Sequence, residues 1–199
     1  LDQQDQRPVY TQLKKMLQFL QWQKAQRGEP AGQRWLLKAP QHLHTLHLLL
    51  DVFPKAQVIL THREPAQTIP SMASMAHTLW QMYSDNPDPK AAGEQWNSRM
   101  ARGIRHTLQV RDQQPAERFL DIHFADTVNQ PMAVLEKIYA FANLPFTYKA
   151  RADAQKWLGQ NGREKRASHD YSLERFGLNE AQMTEDYKEY RARHLSAHH

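Results

Sequence analysis

The sequence predicts an α/β fold with a parallel sheet flanked by helices, and three observations predict it. Short apolar runs at 35–37, 58–60 and 118–124 are strand-length. Segments with helical apolar spacing separate them, and strands that alternate with helices pair in parallel. A cation, Lys38 or Arg63, closes each of two successive strands.

The elements follow in order. From Pro8 to about Gln26, Val9, Leu13, Met16, Leu17, Leu20 and Trp22 recur near helical spacing, and the Gly- and Pro-containing segment 27–32 ends that helix. Trp35–Leu37 reads as a short strand closed by Lys38 and Pro40. His42–Phe53 then sets Leu43, Leu46, Leu49, Leu50 and Phe53 on one helical face. Val58–Leu60 is the second strand. Pro65 suits the first position of the next helix, where its missing amide costs nothing, and that helix is expected to run to about Tyr83 with a bend at Pro70. Residues 85–89 form a loop, 90–112 a long helix and 118–124 the third strand. After Pro131 the pattern is helical to Asn143. A basic loop with Gly159, Gly162, Arg163, Lys165 and Arg166 then precedes a polar C-terminal helix that begins near Leu178.

Composition bounds the function classes. With 199 residues and 40% hydrophobic content the chain can bury a core and is expected to be one domain, incomplete at its N-terminus. The net charge of +5 favours acidic partners, but 21 acidic residues are interspersed with 26 basic ones. That balance suits a small anion rather than a nucleic-acid duplex, which needs a clustered basic face. The absence of cysteine excludes disulfides, cysteine nucleophiles and Cys-type zinc sites, and points to a reducing, cytoplasmic setting. No apolar run approaches the roughly eighteen residues of a membrane span.

In open α/β sheets ligands bind beyond the carboxyl ends of the strands, where helix N-termini also present their amides. Lys38 and Arg63 are expected there, so the ligand should carry a phosphate or a sulfate. The plainer alternative makes Arg63 a surface ion-pair partner, Ser71 a solvated helix residue, Lys38 a solvated strand end and His42 an ordinary helix start. His42, His44 and His47 also invite a metal reading. Asp51 is the one acidic residue placed with them and leucines fill the other face, so no metal is assigned. His106 and His123 are read as structural or solvated. Trp80, Trp96 and Trp157 are read as structural, with an acceptor-pocket wall as their other use.

The run WLLKAPQHLHTLHLLLDVFPKAQVILTHREPAQTIPSMASM, with FADTVNQP, FANLPF and GREKRASHDYSLERFGL, resembles the bacterial branch of the 3'-phosphoadenosine 5'-phosphosulfate (PAPS)-dependent sulfotransferases. The similarity extends from about Arg34 to His194. It implies a P-loop-like sulfotransferase fold and transfer of a sulfuryl group to an acceptor hydroxyl or amine, carried by a small molecule, glycan or lipid. It implies that Arg63 and Ser71, eight residues apart, hold the 3'-phosphate of the donor. It implies that His42 removes the acceptor proton and that Lys38 offsets charge on the bridging oxygen, with His44 as the rival base. Gly162, Arg163, Lys165 and His169 would close over the 3'-phosphate end. Two positions depart from the family pattern: Glu64 stands where Asp or Asn is more frequent, and Pro70 directly precedes Ser71.

A small-residue loop for the 5'-phosphosulfate is not found, nor is G-x-x-x-x-G-K-[ST]. The expectation is a C-terminal portion of a sulfotransferase. Its rival is a non-catalytic nucleotide-binding or interaction module derived from a truncated sulfotransferase. A kinase-like phosphotransferase is disfavoured, since it would need magnesium carboxylates and a phosphate loop.

Overall fold

The computed structural model describes residues 4–30, 32, 34–161 and 172–196. They group into two compact units, one of residues 1–56 with 102–115 and the other of residues 57–101 with 116–199.

The first unit is helical. Helix α1 spans Arg7–Gln26 and α2 spans Leu46–Val52, preceded by a 3₁₀ turn over Pro40–His44. Gly28 at φ +68° ends α1: its amide donates to Ala25 O at 3.1 Å and that of Glu29 to Lys24 O at 3.0 Å, the paired bonds of a left-handed cap. Tyr10 and Leu17, two turns apart on α1, are buried, as are Leu46, Leu48 and Leu50 of α2 and Leu108 and Val110 further along the chain. The other apolar positions of α1 differ from expectation. Val9, Met16, Leu20 and Trp22 are exposed, because a helix buries only the stripe that meets another element, and α2 meets the Tyr10 side.

The expected strand at Trp35–Leu37 does not form. The segment makes no ladder, and Leu36 is 90% exposed. Among the described residues the first unit holds no strand for it to pair with, and an apolar run without a partner cannot make a sheet. Lys38 therefore follows an unpaired segment rather than a strand end. The expected helix from His42 is also divided, with Thr45 at φ −136° separating the 3₁₀ turn from α2.

The second unit contains a parallel sheet of two strands, β1 (Val58–His62) and β2 (Phe119–His123), in register from Val58 opposite Phe119 to His62 opposite His123. Parallel strands need a long crossover. It is supplied by α3 (Pro65–Trp80) and α4 (Pro89–Asp112), of which residues 102–112 belong to the first unit. Helix α3 starts with Pro65 as expected and is continuous through the buried Pro70. After β2 come α5 (Phe124–Asn129), α6 (Pro131–Phe141) and α7 (Tyr148–Gln160). Helix α7 escaped the sequence reading, although Thr147 accepts a hydrogen bond from the Ala150 amide at 3.1 Å and is a recognisable N-cap.

Ala73 of α3, Ala92 of α4 and Phe176 are fully buried together, with Trp80 against them. Gly93 permits this approach, since a Cβ there would lie 2.0 Å from the Phe176 carbonyl oxygen. The polar C-terminal helix is in fact two, α8 (Glu180–Asp186) and α9 (Lys188–His194), separated at Tyr187. Tyr187 is buried and its hydroxyl donates to Asn97 O at 3.1 Å. Among the described residues no helix is long and apolar enough to cross a membrane.

Candidate functional site

In the second unit the last residue of β1 is His62, and Arg63 and Glu64 lead directly into α3. Pro65 as the first helical residue directs the turn without sacrificing a needed amide. The Arg63 guanidinium stacks over the Phe124 ring at 4.2 Å, a cation–π contact, and its Nε donates to Gln67 Oε1 at 3.1 Å. Gln67 is four residues from both Arg63 and Ser71, and residues four apart share a helix face. Gln67 thus ties the guanidinium, from two residues before α3, to the first turn of that helix, and the half-buried Ser71 lies four residues further on. Sequence reasoning overlooked Gln67, though its spacing was available.

The backbone of Arg63 is held as well. Its amide donates to the Tyr190 hydroxyl of α9 at 3.3 Å. Burial pushes the Tyr190 phenol up to about 12, aided by the nearby Glu64 and Asp121 carboxylates, so it stays protonated. Glu64 pairs with Arg191 at 3.4 Å, which accounts for its carboxylate beside the proposed anion anchor. A guanidinium, a hydroxyl and the positive end of a helix are each donors that a phosphate-type anion can accept from, and Arg63, Ser71 and the sixteen-residue α3 offer one of each type.

In the first unit His42 Nδ1 lies 2.8 Å from the Tyr10 hydroxyl, which lies 2.8 Å from Thr45 Oγ1. With Nδ1 donating to Tyr10 and Tyr10 donating to Thr45, Nε2 keeps its lone pair and can accept a proton. Burial lowers the His42 pKa, favouring the neutral form, and burial raises that of Tyr10, so the phenol stays intact. His44 is oriented otherwise. Its ring lies over Gly103 of α4, where an added Cβ would be 2.7 Å from Cε1. His47 Nδ1 meets His106 Nε2 at 2.8 Å. The pKa of His106 is lowered by burial first and then by His47 and His44. The three histidines of the sequence-level metal reading thus meet Tyr10, Gly103 and His106 respectively, with His44 also near enough to His106 to act on its pKa. Lys38 is exposed.

Gly162, Arg163, Lys165 and His169 lie outside the described residues. Of the three tryptophans, Trp80 packs on the Ala73–Phe176 cluster, Trp96 lies beneath Arg99 with 5.5 Å between guanidinium and ring, and Trp157 lines an apolar groove of about 380 Å³ with Thr127, Val134 and Leu158.

A parallel strand whose carboxyl end leads through an arginine into a helix N-terminus places the chain among the α/β proteins. Its family is defined by the model described as the sulfotransferase family, which matches residues 2–148, and the chain belongs to that family. It is similar to the crystal structure of sulfotransferase STF9 from Mycobacterium avium, at 26% identity and a TM-score of 0.79 over 96% of this chain and 48% of that one. It shares its fold with sulfotransferase STF1 from Mycobacterium tuberculosis H37Rv, at 24% identity and a TM-score of 0.62 over 77% of this chain and 39% of that one. The chain thus spans less than half the length of either solved structure. No curated protein matches it.

Proposed function

We propose that the chain, taken over residues 1–199 as one sulfotransferase-like domain, serves transfer of a sulfuryl group from PAPS to an acceptor hydroxyl or amine on a small molecule, glycan or lipid. Arg63 and Ser71 anchor the 3'-phosphate of the donor. His42 Nε2 takes the acceptor proton as the new S–O or S–N bond forms and the bond to the donor's phosphate oxygen breaks. Lys38 offsets the negative charge left on that oxygen, and no metal enters the step. A base of this kind contributes about 10² to 10⁴ in rate. Gly162, Arg163, Lys165 and His169 are assigned to the donor's 3'-phosphate end by the resemblance. The cytoplasm is the assigned compartment, in keeping with a chain free of cysteine.

The observation that carries this reading is Arg63, tethered at side chain and backbone where β1 leads into α3, with Ser71 of α3 eight residues on. The choice of His42 over His44 is supported by the Tyr10 hydrogen bond, which orients one ring nitrogen and leaves the other for the acceptor. A nucleotide-binding module without transfer draws its support from the unpaired 35–38 segment, since a lysine on an exposed stretch is held less firmly than one at a strand end.

The test is calorimetric titration with 3'-phosphoadenosine 5'-phosphate against 5'-AMP, which lacks the 3'-phosphate, followed by donor-dependent turnover. Preferential binding of the bisphosphate is expected. Equal affinities would remove the Arg63 and Ser71 anchor, and selective binding without turnover on any acceptor would favour the binding module.

A further inference from the structure

The parallel register sets Leu60 opposite Asp121 and His62 opposite His123, and side chains two apart on a strand share a face. His62 and Asp121 thus emerge on one face of the sheet, where α9 brings Tyr190 and His194. His62 is 4% exposed, and the His194 side chain 11%. Their rings stack with centroids 4.2 Å apart and planes 7° from parallel, so the stack must open, with the His194 ring turning, for both in-plane lone pairs to reach one ion. Both present a nitrogen to the same carboxylate oxygen: His62 Nε2 is 2.8 Å and His194 Nδ1 3.9 Å from Asp121 Oδ1.

We propose that His62, Asp121 and His194 form a binding site for a divalent transition-metal ion of the zinc class, clamping the last helix to the end of the sheet. Candidate ligand atoms of the three residues lie within 4.8 Å of one another. In a tetrahedral zinc site, bonds near 2.0–2.2 Å put neighbouring ligand atoms about 3.3 Å apart. The two distances to Asp121 Oδ1, 2.8 and 3.9 Å, straddle that value, so each contact needs to change by about half an ångström. Two imidazoles and one carboxylate suit zinc, cobalt or nickel rather than magnesium or calcium, which take mainly oxygen.

A second feature is independent of the ligand cluster. Metal-bound histidines almost always engage their other ring nitrogen in a hydrogen bond that fixes the tautomer. His62 Nδ1 lies 3.2 Å from the Tyr190 hydroxyl. With Nδ1 donating to that oxygen, the Nε2 lone pair faces the Asp121 carboxylate; in the metal-free protein the other tautomer lets Nε2 donate to Oδ1 at 2.8 Å. The metal ion takes the place of that hydrogen bond, accepting lone pairs from Nε2, Oδ1 and His194 Nδ1 and a fourth from water on the side where Asp121 is 31% exposed. The three ligands come from β1, β2 and the last residue of α9, 59 and 73 residues apart in successive steps, so the ion would cross-link the second unit.

The experiment uses the full chain, stripped with chelator and titrated calorimetrically with zinc, with cobalt absorption as a direct report on coordination. One equivalent should bind at micromolar or tighter affinity, with visible cobalt bands of a four-coordinate site. At a hundredfold excess of zinc over its dissociation constant, the melting temperature should rise by about 5–10 °C. Asp121→Asn and His194→Ala should each weaken binding at least tenfold. The pairs His47→Ala with His106→Ala and His198→Ala with His199→Ala should not. If His194→Ala fails to fold by circular dichroism, Asp121→Asn and the wild-type cobalt spectrum carry the test. Lack of binding at 100 µM zinc, with 100 µM chosen as roughly a hundred times the expected constant, would overturn the proposal. Binding that survives both ligand variants and disappears with either histidine pair would overturn it too.

Discussion

Replacing Arg63 with alanine should weaken binding of 3'-phosphoadenosine 5'-phosphate while leaving 5'-AMP affinity nearly unchanged. A hydrogen bond to a charged group contributes about 1.5–3 kcal/mol, or roughly 10- to 150-fold in dissociation constant. The structure predicts a graded series around that change. Arg63→Lys keeps the charge but loses the planar fork and the Nε bond to Gln67, so it should recover only part of the affinity. Gln67→Ala keeps the guanidinium and removes its tether at 3.1 Å, releasing side-chain freedom on the order of 1 kcal/mol, or about fivefold. Truncating Arg63 also removes the contact over Phe124, so a modest fall in melting temperature is expected. Calorimetry at fixed ionic strength, with circular dichroism to confirm folding, reads the series. A folded Arg63→Ala protein that binds the bisphosphate as tightly as wild type would refute the anchor, and a Gln67→Ala loss larger than that of Arg63→Ala would refute the tether.

Other outcomes follow from the same geometry. Gly93→Ala should destabilise by about 1–3 kcal/mol or more, because its Cβ would meet the Phe176 carbonyl oxygen at 2.0 Å; an unchanged thermal melt would disprove that packing. Thr147→Ala should cost about 1 kcal/mol through loss of the α7 cap, readable in urea denaturation. His42 and His106 both have lowered pKa values in the folded chain, so the unfolded chain binds protons first as pH falls. Their contribution is therefore present above the ordinary histidine value of about 6.5 and is lost as pH drops through it towards the lower folded values. The melting temperature should fall between about pH 7 and 5, and His42→Gln should flatten part of that fall; an unaltered slope would contradict the burial of His42.

Much of the architecture is legible in the sequence because it is written over short distances. Gly28 marks the end of α1 and Pro65 the start of α3, since each acts on its own backbone angles. The strand–Arg–helix–Ser arrangement is equally local, and the four-residue step from Gln67 to Ser71 along α3 needs no tertiary information. The apolar run at 35–37 resembles a strand by the same local criteria, yet a strand exists only where another chain segment completes its hydrogen bonds. Tertiary structure alone decides such matters. Tyr10 meets His42 across 32 residues, and Tyr190 holds the Arg63 amide across 127. His62, Asp121 and His194 converge only because a parallel register and a docked C-terminal helix bring them to one face. Periodicity reports which residues share a face of one element. Which faces meet is determined by burial of the whole chain, and the hydrogen-bond partners of the candidate site are consequences of that choice.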